Sequence, residues 1–183
     1  GKTVARAEGG FQFGDKRFKL VDVPGTYSLL ASSVDEEIAR DFILFGAPDV
    51  TVIVADATRL ERNLNLALQI LEITDRVVIC LNLMDEARRH GLAVDDRRLA
   101  RDLGVPVVPT SARRDEGIPA LLQAVHDVAS GAAQTRPYRL TTTHNPALDA
   151  ALESLARQVE AAFPGLPNAR WVALRLLDGD TAI

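Results

Sequence analysis

The sequence predicts a doubly wound α/β fold, and two observations predict it. Three runs, Val50–Val54, Val77–Leu81 and Val105–Val108, are solid and β-branched rather than alternating, as strands buried on both faces of a parallel sheet are. Stretches of helical spacing, Leu60–Leu71, Asp95–Leu103 and Ile118–Val128, alternate with them, and such alternation builds a sheet with helices on both sides.

The flanking elements follow from local signals. Phe11 to Phe13 and Phe18 to Val21 are short apolar pieces around Gly14-Asp15-Lys16, a turn chemistry that suits a hairpin of two antiparallel strands. Val34 to Phe45 carries apolar residues at Val34, Ile38, Phe42 and Phe45, a helical period. Ser32, Ser33 and the carboxylates of Asp35, Glu36 and Glu37 suit the positive N-terminal end of that helix, and Gly46 and Pro48 stop it. Ser130–Asn145, with Gly131, Pro137 and three consecutive threonines, reads as a linker. Beyond it the pattern is all helical, Pro146–Phe163 and then Asn168–Leu177, broken at Pro164-Gly165-Leu166-Pro167.

Composition bounds the function. At 183 residues, 47% hydrophobic and 25% charged, the chain has the balance of one globular domain with a small appendage. The net charge of −4 gives no reason to expect nucleic acid or an anionic membrane surface as partner. The single cysteine, Cys80, lies inside an apolar run and reads as a small core residue in a reducing compartment. No stretch approaches the ~20 apolar residues of a membrane helix, so the piece itself is expected to be soluble. Both ends look cut, which leaves room for a larger membrane protein around it.

Three motifs carry chemistry. Asp22-Val23-Pro24-Gly25 directly follows the strand Phe18–Val21. A carboxylate there can hold Mg2+ through water, and the glycine N–H can approach a γ-phosphate because no Cβ blocks it. Asn82-Leu83-Met84-Asp85 ends the second buried strand. The Asp85 carboxylate can accept the ring N–H and the exocyclic N–H2 of guanine together, a pair that adenine does not offer, while Asn82 ties the base-binding loops. Leu83 stands where a lysine usually covers the base. Thr110-Ser111-Ala112 ends the third strand, where a backbone N–H meets the base oxygen. Each motif alone is common, and a turn or a helix cap explains it as well. Together they stand in the order GTPases use, each at the C-terminal end of a strand, the edge at which open α/β sheets bind ligands. The expected fold is thus a Ras-like P-loop GTPase sheet with flanking helices, its first strand missing, followed by part of an all-helical module. Thr26, after Gly25, occupies the place where many small GTPases orient water with a glutamine, and no general base is evident. His90, His126 and His144 read as solvated.

Gly1-Lys2-Thr3 looks like the end of a phosphate-binding loop. That loop must lead into a helix, and Val4–Gly10 offers no apolar helical face. Thr3 reads instead as the switch threonine, whose hydroxyl and carbonyl meet Mg2+ and the γ-phosphate.

The chain resembles the cytosolic GTPase region of the ferrous iron transport protein B family. Gly1-Lys2-Thr3-Val4 is similar to its first switch, with Glu8-Gly9 at matching spacing, and Asp22–Leu30, DVPGTYSLL, to its second. Asp35–Ala39, Leu60–Leu64 and Trp171–Asp180 resemble later segments, and the family also carries an apolar residue at the Leu83 position. The resemblance implies a GTPase unit at residues 1–130, a linker at 131–144 and part of a helical regulatory module at 145–183. It implies GTP/GDP and Mg2+ as ligands, with Thr3 and Asp22 near the metal, Gly25 at the phosphate, Asn82, Asp85, Ser111 and Ala112 at guanine, and Thr3 and Thr26 nearest the chemistry. It further implies a membrane-embedded iron permease portion as partner, a place at the cytoplasmic face of the inner membrane, and room for a homo-oligomer. The alternatives are a nucleotide-free interaction domain and a ribosome-assembly GTPase, which would carry lysine at Leu83 and a basic downstream module.

The family's first strand and phosphate-binding loop are expected before Gly1. Lacking that strand, the sheet should show an unpaired gap or a rearrangement. Lacking the backbone cradle and its lysine, these 183 residues are expected to bind GTP no more tightly than roughly millimolar and not to hydrolyse it.

Overall fold

The computed structural model describes residues 7–29, 33–139, 145–166 and 168–180. Thr3 and His144 lie outside them.

The N-terminal hairpin forms as expected and extends further. Strands β1 (Ala7–Phe13) and β2 (Lys16–Asp22) pair antiparallel in full register, with Gly14 at φ 61° in the turn. Gly9 and Gly10 pair with Leu20 and Lys19 inside this ladder. The rings of Phe11 and Phe18 stack at 5.0 Å.

Helix α1 (Val34–Phe45) opens with the Ser33 side chain accepting from Glu36 N, and three carboxylates fill its first turn. Next come strand β3 (Thr51–Asp56), a 3-10 turn at Ala57–Arg59, and helix α2 (Leu60–Ile73). Strand β4 (Val77–Asn82) follows, then the short helix α3 (Met84–Arg89), helix α4 (Asp96–Leu103), strand β5 (Val107–Pro109) and helix α5 (Ile118–Ser130). Helices α6 (Pro146–Ala162) and α7 (Ala169–Leu177) close the described chain. The sequence pattern did not separate α3, because only Ala87 of its residues is buried and so few turns show no period.

β3, β4 and β5 form a parallel sheet in that order, and the hairpin is a separate two-stranded sheet. The expected gap is therefore present among the described residues: β3 pairs with β4 on one side only. The expectation of burial on both faces holds for β4, whose Val77–Leu81 are all buried. It fails for β3, where Val54 is 63% exposed, since side chains point to the sheet faces and are buried only where another element packs over them. The hairpin reaches the rest of the molecule through its aromatic face: Phe18 packs on a cluster of Val78, Val108, Val125 and Val128. His126 of α5 sits with its ring 6.2 Å from Phe13 and 6.4 Å from Phe18. Its side chain is 23% exposed and its Nε2 lies 3.9 Å from Asp15 Oδ1, which corrects its reading as solvated. His90 is exposed as expected.

The C-terminal helices share the sheet's core. Val159, Trp171 and Val172 belong to the same buried cluster as Leu71, Ile73 and Ile79, and the Asn168 amide donates to the Glu72 carbonyl. Part of the segment read as a linker is also fixed. Arg136 N donates to Gly104 O at 2.9 Å, Tyr138 N to Leu103 O at 3.1 Å, and Arg139 pairs with Asp75. Polar composition concealed this because the attachment uses backbone groups. The crossing is close: Gly104 has φ 70°, and a Cβ there would lie 1.8 Å from Arg136 O.

Cys80 is buried and core-like, as expected. Burial pushes its thiol up, and the hydrogen bond with Thr110 acts the other way.

Gly104→Ala is expected to destabilise the chain by at least about 2 kcal/mol, since left-handed strain and backbone overlap add. Urea unfolding measures it, and a loss below about 0.5 kcal/mol would contradict the packing of residues 136–138 on α4.

Candidate functional site

The C-terminal ends of β4 and β5 lie side by side because the strands are parallel and in register, Leu81 against Pro109. The two loops that leave them are joined by direct bonds. The Asn82 carboxamide oxygen accepts from Thr110 Oγ1 at 3.3 Å and from Ala112 N at 3.1 Å. Thr110 N donates to Leu81 O at 2.8 Å and Met84 N to Thr110 O at 3.1 Å. Asp85 N donates to Ser111 Oγ at 3.2 Å. Thr110 and Ser111 are 1% and 2% exposed, so their side chains are shielded from water, while the Asn82–Ala112 bond lies at the exposed rim.

Four sequence-predicted residues, Asn82, Asp85, Ser111 and Ala112, thus come together. One detail differs from the expectation. The Ala112 N–H, assigned to a base oxygen, already donates to Asn82, so a base would share or displace that bond. With its oxygen committed, the Asn82 nitrogen is the atom left to donate.

Asp85 sits in the first turn of α3, where the helix dipole favours a carboxylate. Its side chain is 10% exposed, and Arg114 Nε lies 3.3 Å from its Oδ2. Leu83, immediately before α3, has φ 62° and ψ 31°. A leucine in the left-handed region stores strain, about 1 kcal/mol or more, and such strain concentrates where a loop must present groups to a ligand.

The second group, Asp22 and Gly25, stands at the end of β2 and in the loop beyond it. Both are exposed, and nothing lies within 4 Å of a Cβ built at Gly25. Among the described residues no hydrogen bond or ion pair links them to the Asn82–Ala112 group. Thr26 Oγ1 donates to Ser28 O at 2.6 Å and accepts from Ser28 N at 3.2 Å. That local turn occupies the hydroxyl read as nearest the chemistry.

Two contacts that hold the loop after β2 escaped the sequence. Gln69 of α2 holds the loop: its Oε1 accepts from Leu29 N at 2.6 Å and from Ser28 Oγ at 3.2 Å. Arg62 of the same helix lies 3.6 Å over the Tyr27 ring. Gln69 is seven residues beyond Arg62, so both share one helix face, but nothing in the sequence singles that face out. Arg114 likewise lies beyond the Ser-Ala motif without belonging to it.

Comparison with known proteins places this geometry. The family model for ferrous iron transport protein B matches residues 1–125. The chain belongs to the ferrous iron transport protein B family. It is 38% identical to the Fe(2+) transporter FeoB of Escherichia coli K12 over 98% of its own length and 23% of that protein's. The cytosolic domain of the T. maritima FeoB iron transporter, solved in a GDP form, matches 98% of the chain and 70% of that domain at 37% identity, with a TM-score of 0.80. The FeoB G-domain from Methanococcus jannaschii is 44% identical over 70% of the chain and 83% of its own length, with a TM-score of 0.67. The α/β fold and the helices after it are those of the FeoB cytosolic region. Neither the ribosome-assembly reading nor the interaction-domain reading is favoured by this match. No helix among the described residues is long and apolar enough to cross a membrane.

Gln69→Ala is expected to release the 26–29 loop. The Leu29 amide should lose at least about tenfold in hydrogen-exchange protection, while Ile79 in β4 keeps its own. Unchanged protection at Leu29 would show that burial of its side chain, not Gln69, holds the loop.

Proposed function

We propose that this chain is the guanine-nucleotide switch of a ferrous iron transporter. It would stand at the cytoplasmic face of the inner membrane and act on a membrane-embedded permease portion of the same protein. The FeoB relatives support this reading, and so does the solved relative in its GDP form. Residues 1–130 form the nucleotide unit, 131–144 the connection and 145–183 part of the helical regulatory module; a homo-oligomer is compatible with this arrangement.

The observation that carries the proposal is the bonded pair of loops at Asn82 and Ala112. The backbone bond from Asp85 to Ser111, which ties the first loop to the second, supports the same reading. In this reading Asp85 accepts guanine N1–H and N2–H2, Asn82 donates to the ring, and the Ala112 N–H meets the base oxygen. Ser111 fixes the loop. Recognition by a carboxylate is specific because a base without both donors leaves an oxygen unpaired.

Asp22, Gly25 and Thr3 serve the phosphates and Mg2+. The exposed Asp22 carboxylate and the open space at Gly25 fit a metal held through water and nucleotide. Among the described residues no group of three or more His, Cys, Asp or Glu forms a protein cage. Mg2+ when bound neutralises phosphate charge. Thr26, its hydroxyl engaged by Ser28, has no reach toward an attacking water, so intrinsic hydrolysis of a complete domain is slow and depends on another group.

In an NMR titration, GMP is expected to shift the Asp85, Ser111 and Ala112 amides more strongly than AMP does. Asp85→Asn should lose the GMP response and gain one to XMP, because the asparagine nitrogen donates to the xanthine 2-oxygen. A variant that keeps the GMP response would show Asp85 to be only a helix cap.

A further inference from the structure

The carboxylate assigned to guanine already has an occupant. Arg114 Nε lies 3.3 Å from Asp85 Oδ2, and the arginine side chain is 56% exposed while the aspartate is 10% exposed. Guanine needs both Asp85 oxygens, so the arginine and the base compete for one atom.

The backbone that carries Arg114 cannot withdraw it. Ser111 and Glu116 exchange hydrogen bonds at 3.0 and 3.3 Å, and Arg114 N donates to Ser111 O at 2.8 Å. Asp115, next in the turn, is held at φ 56°. Clearance of Asp85 therefore falls to the side chain, and a second station is within reach. Arg114 Nη1 lies 4.0 Å from Glu116 Oε1. Glu116 also has a rival cation, Arg88, whose Nη2 is 3.6 Å from Oε2.

Resting on the assignment of Asp85 to the base, we propose that Arg114 is a specificity-setting latch on the guanine site. With the site vacant its guanidinium screens the Asp85 charge. As guanine enters, the guanidinium passes to Glu116, and the share of Glu116 taken by Arg88 sets how readily it leaves. The latch is a positioning device: it acts on the carboxylate that reads the base, and because it competes for an Asp85 oxygen it costs most to a base that needs both, so it holds down the preference for guanine. Exposed ion pairs have small free energies, so the effect is about two- to fivefold.

The test is the ratio of GMP to AMP affinity in the 183-residue chain, measured from amide shifts in NMR titrations. AMP carries the same phosphate, so the ratio removes general attraction of an anion to arginine. Arg114→Gln is expected to raise the ratio about two- to fivefold by strengthening GMP binding. Glu116→Gln should lower it, and Glu116→Gln should have no effect in the Arg114→Gln background. Added KCl should raise the ratio in the wild type, by screening the pair, and leave it flat in Arg114→Gln. A ratio that is unchanged or lower in Arg114→Gln overturns the latch while the base assignment stands. A Glu116→Gln effect that persists without Arg114 overturns it as well. Equal response to GMP and AMP in every variant overturns the base assignment, and the latch with it.

Discussion

The candidate site depends on one acceptor atom, the Asn82 carboxamide oxygen. It takes protons from Thr110 Oγ1 and from the Ala112 backbone, and so closes the loop after β4 onto the loop after β5. Parallel pairing brings the strand ends together but leaves the loops beyond them free to diverge. A half-buried acceptor that takes protons from a hydroxyl and a backbone donor restricts that freedom. The surroundings reinforce it, with Thr110 also against Cys80 Sγ at 3.2 Å and Ser111 receiving the Asp85 amide. Asp85 then sits where the Leu83 turn places it, and Arg114 is the remaining side chain positioned to cover it.

The hairpin side of the molecule is organised differently. Among the described residues β1 and β2 hold no ladder bonds to the parallel sheet. They dock through Phe18 on the Val78–Val128 cluster and through His126. The loop that follows β2 is carried by α2, where Gln69 and Arg62 hold it from one helix face. That helix also meets α7, through Asn168 on the Glu72 carbonyl. A single helix therefore contacts both the loop after β2 and the C-terminal helices.

Much of this was legible in the sequence, for physical reasons. β4 is buried on both faces, and a solid β-branched run announces that. α1 has an amphipathic period, an N-cap serine and a stopping glycine, so its bounds, Val34–Phe45, were read directly. Asn82, Asp85, Ser111 and Ala112 were singled out because chemistry at strand ends has a fixed order in this fold, and the structure brings them together. What escaped depends on long-range geometry. Gln69 reaches Leu29 across a separation of 40 residues, and no local pattern encodes that. Arg114 matters only because a tight turn returns it to Asp85. The attachment of residues 136–138 to α4 uses backbone atoms, which carry no residue signature. The β3 run read as buried on both faces, yet Val54 on one of them is exposed.

The most direct measurement of the central claim is a double-mutant cycle on unfolding free energy between Asn82→Ala and Thr110→Val. If the Asn82 oxygen is the tie between the two loops, the cycle shows a coupling of about 0.5–1.5 kcal/mol. Losses that add within about 0.3 kcal/mol would contradict it, and the two loops would then be held by strand pairing and by the Met84–Thr110 and Asp85–Ser111 bonds.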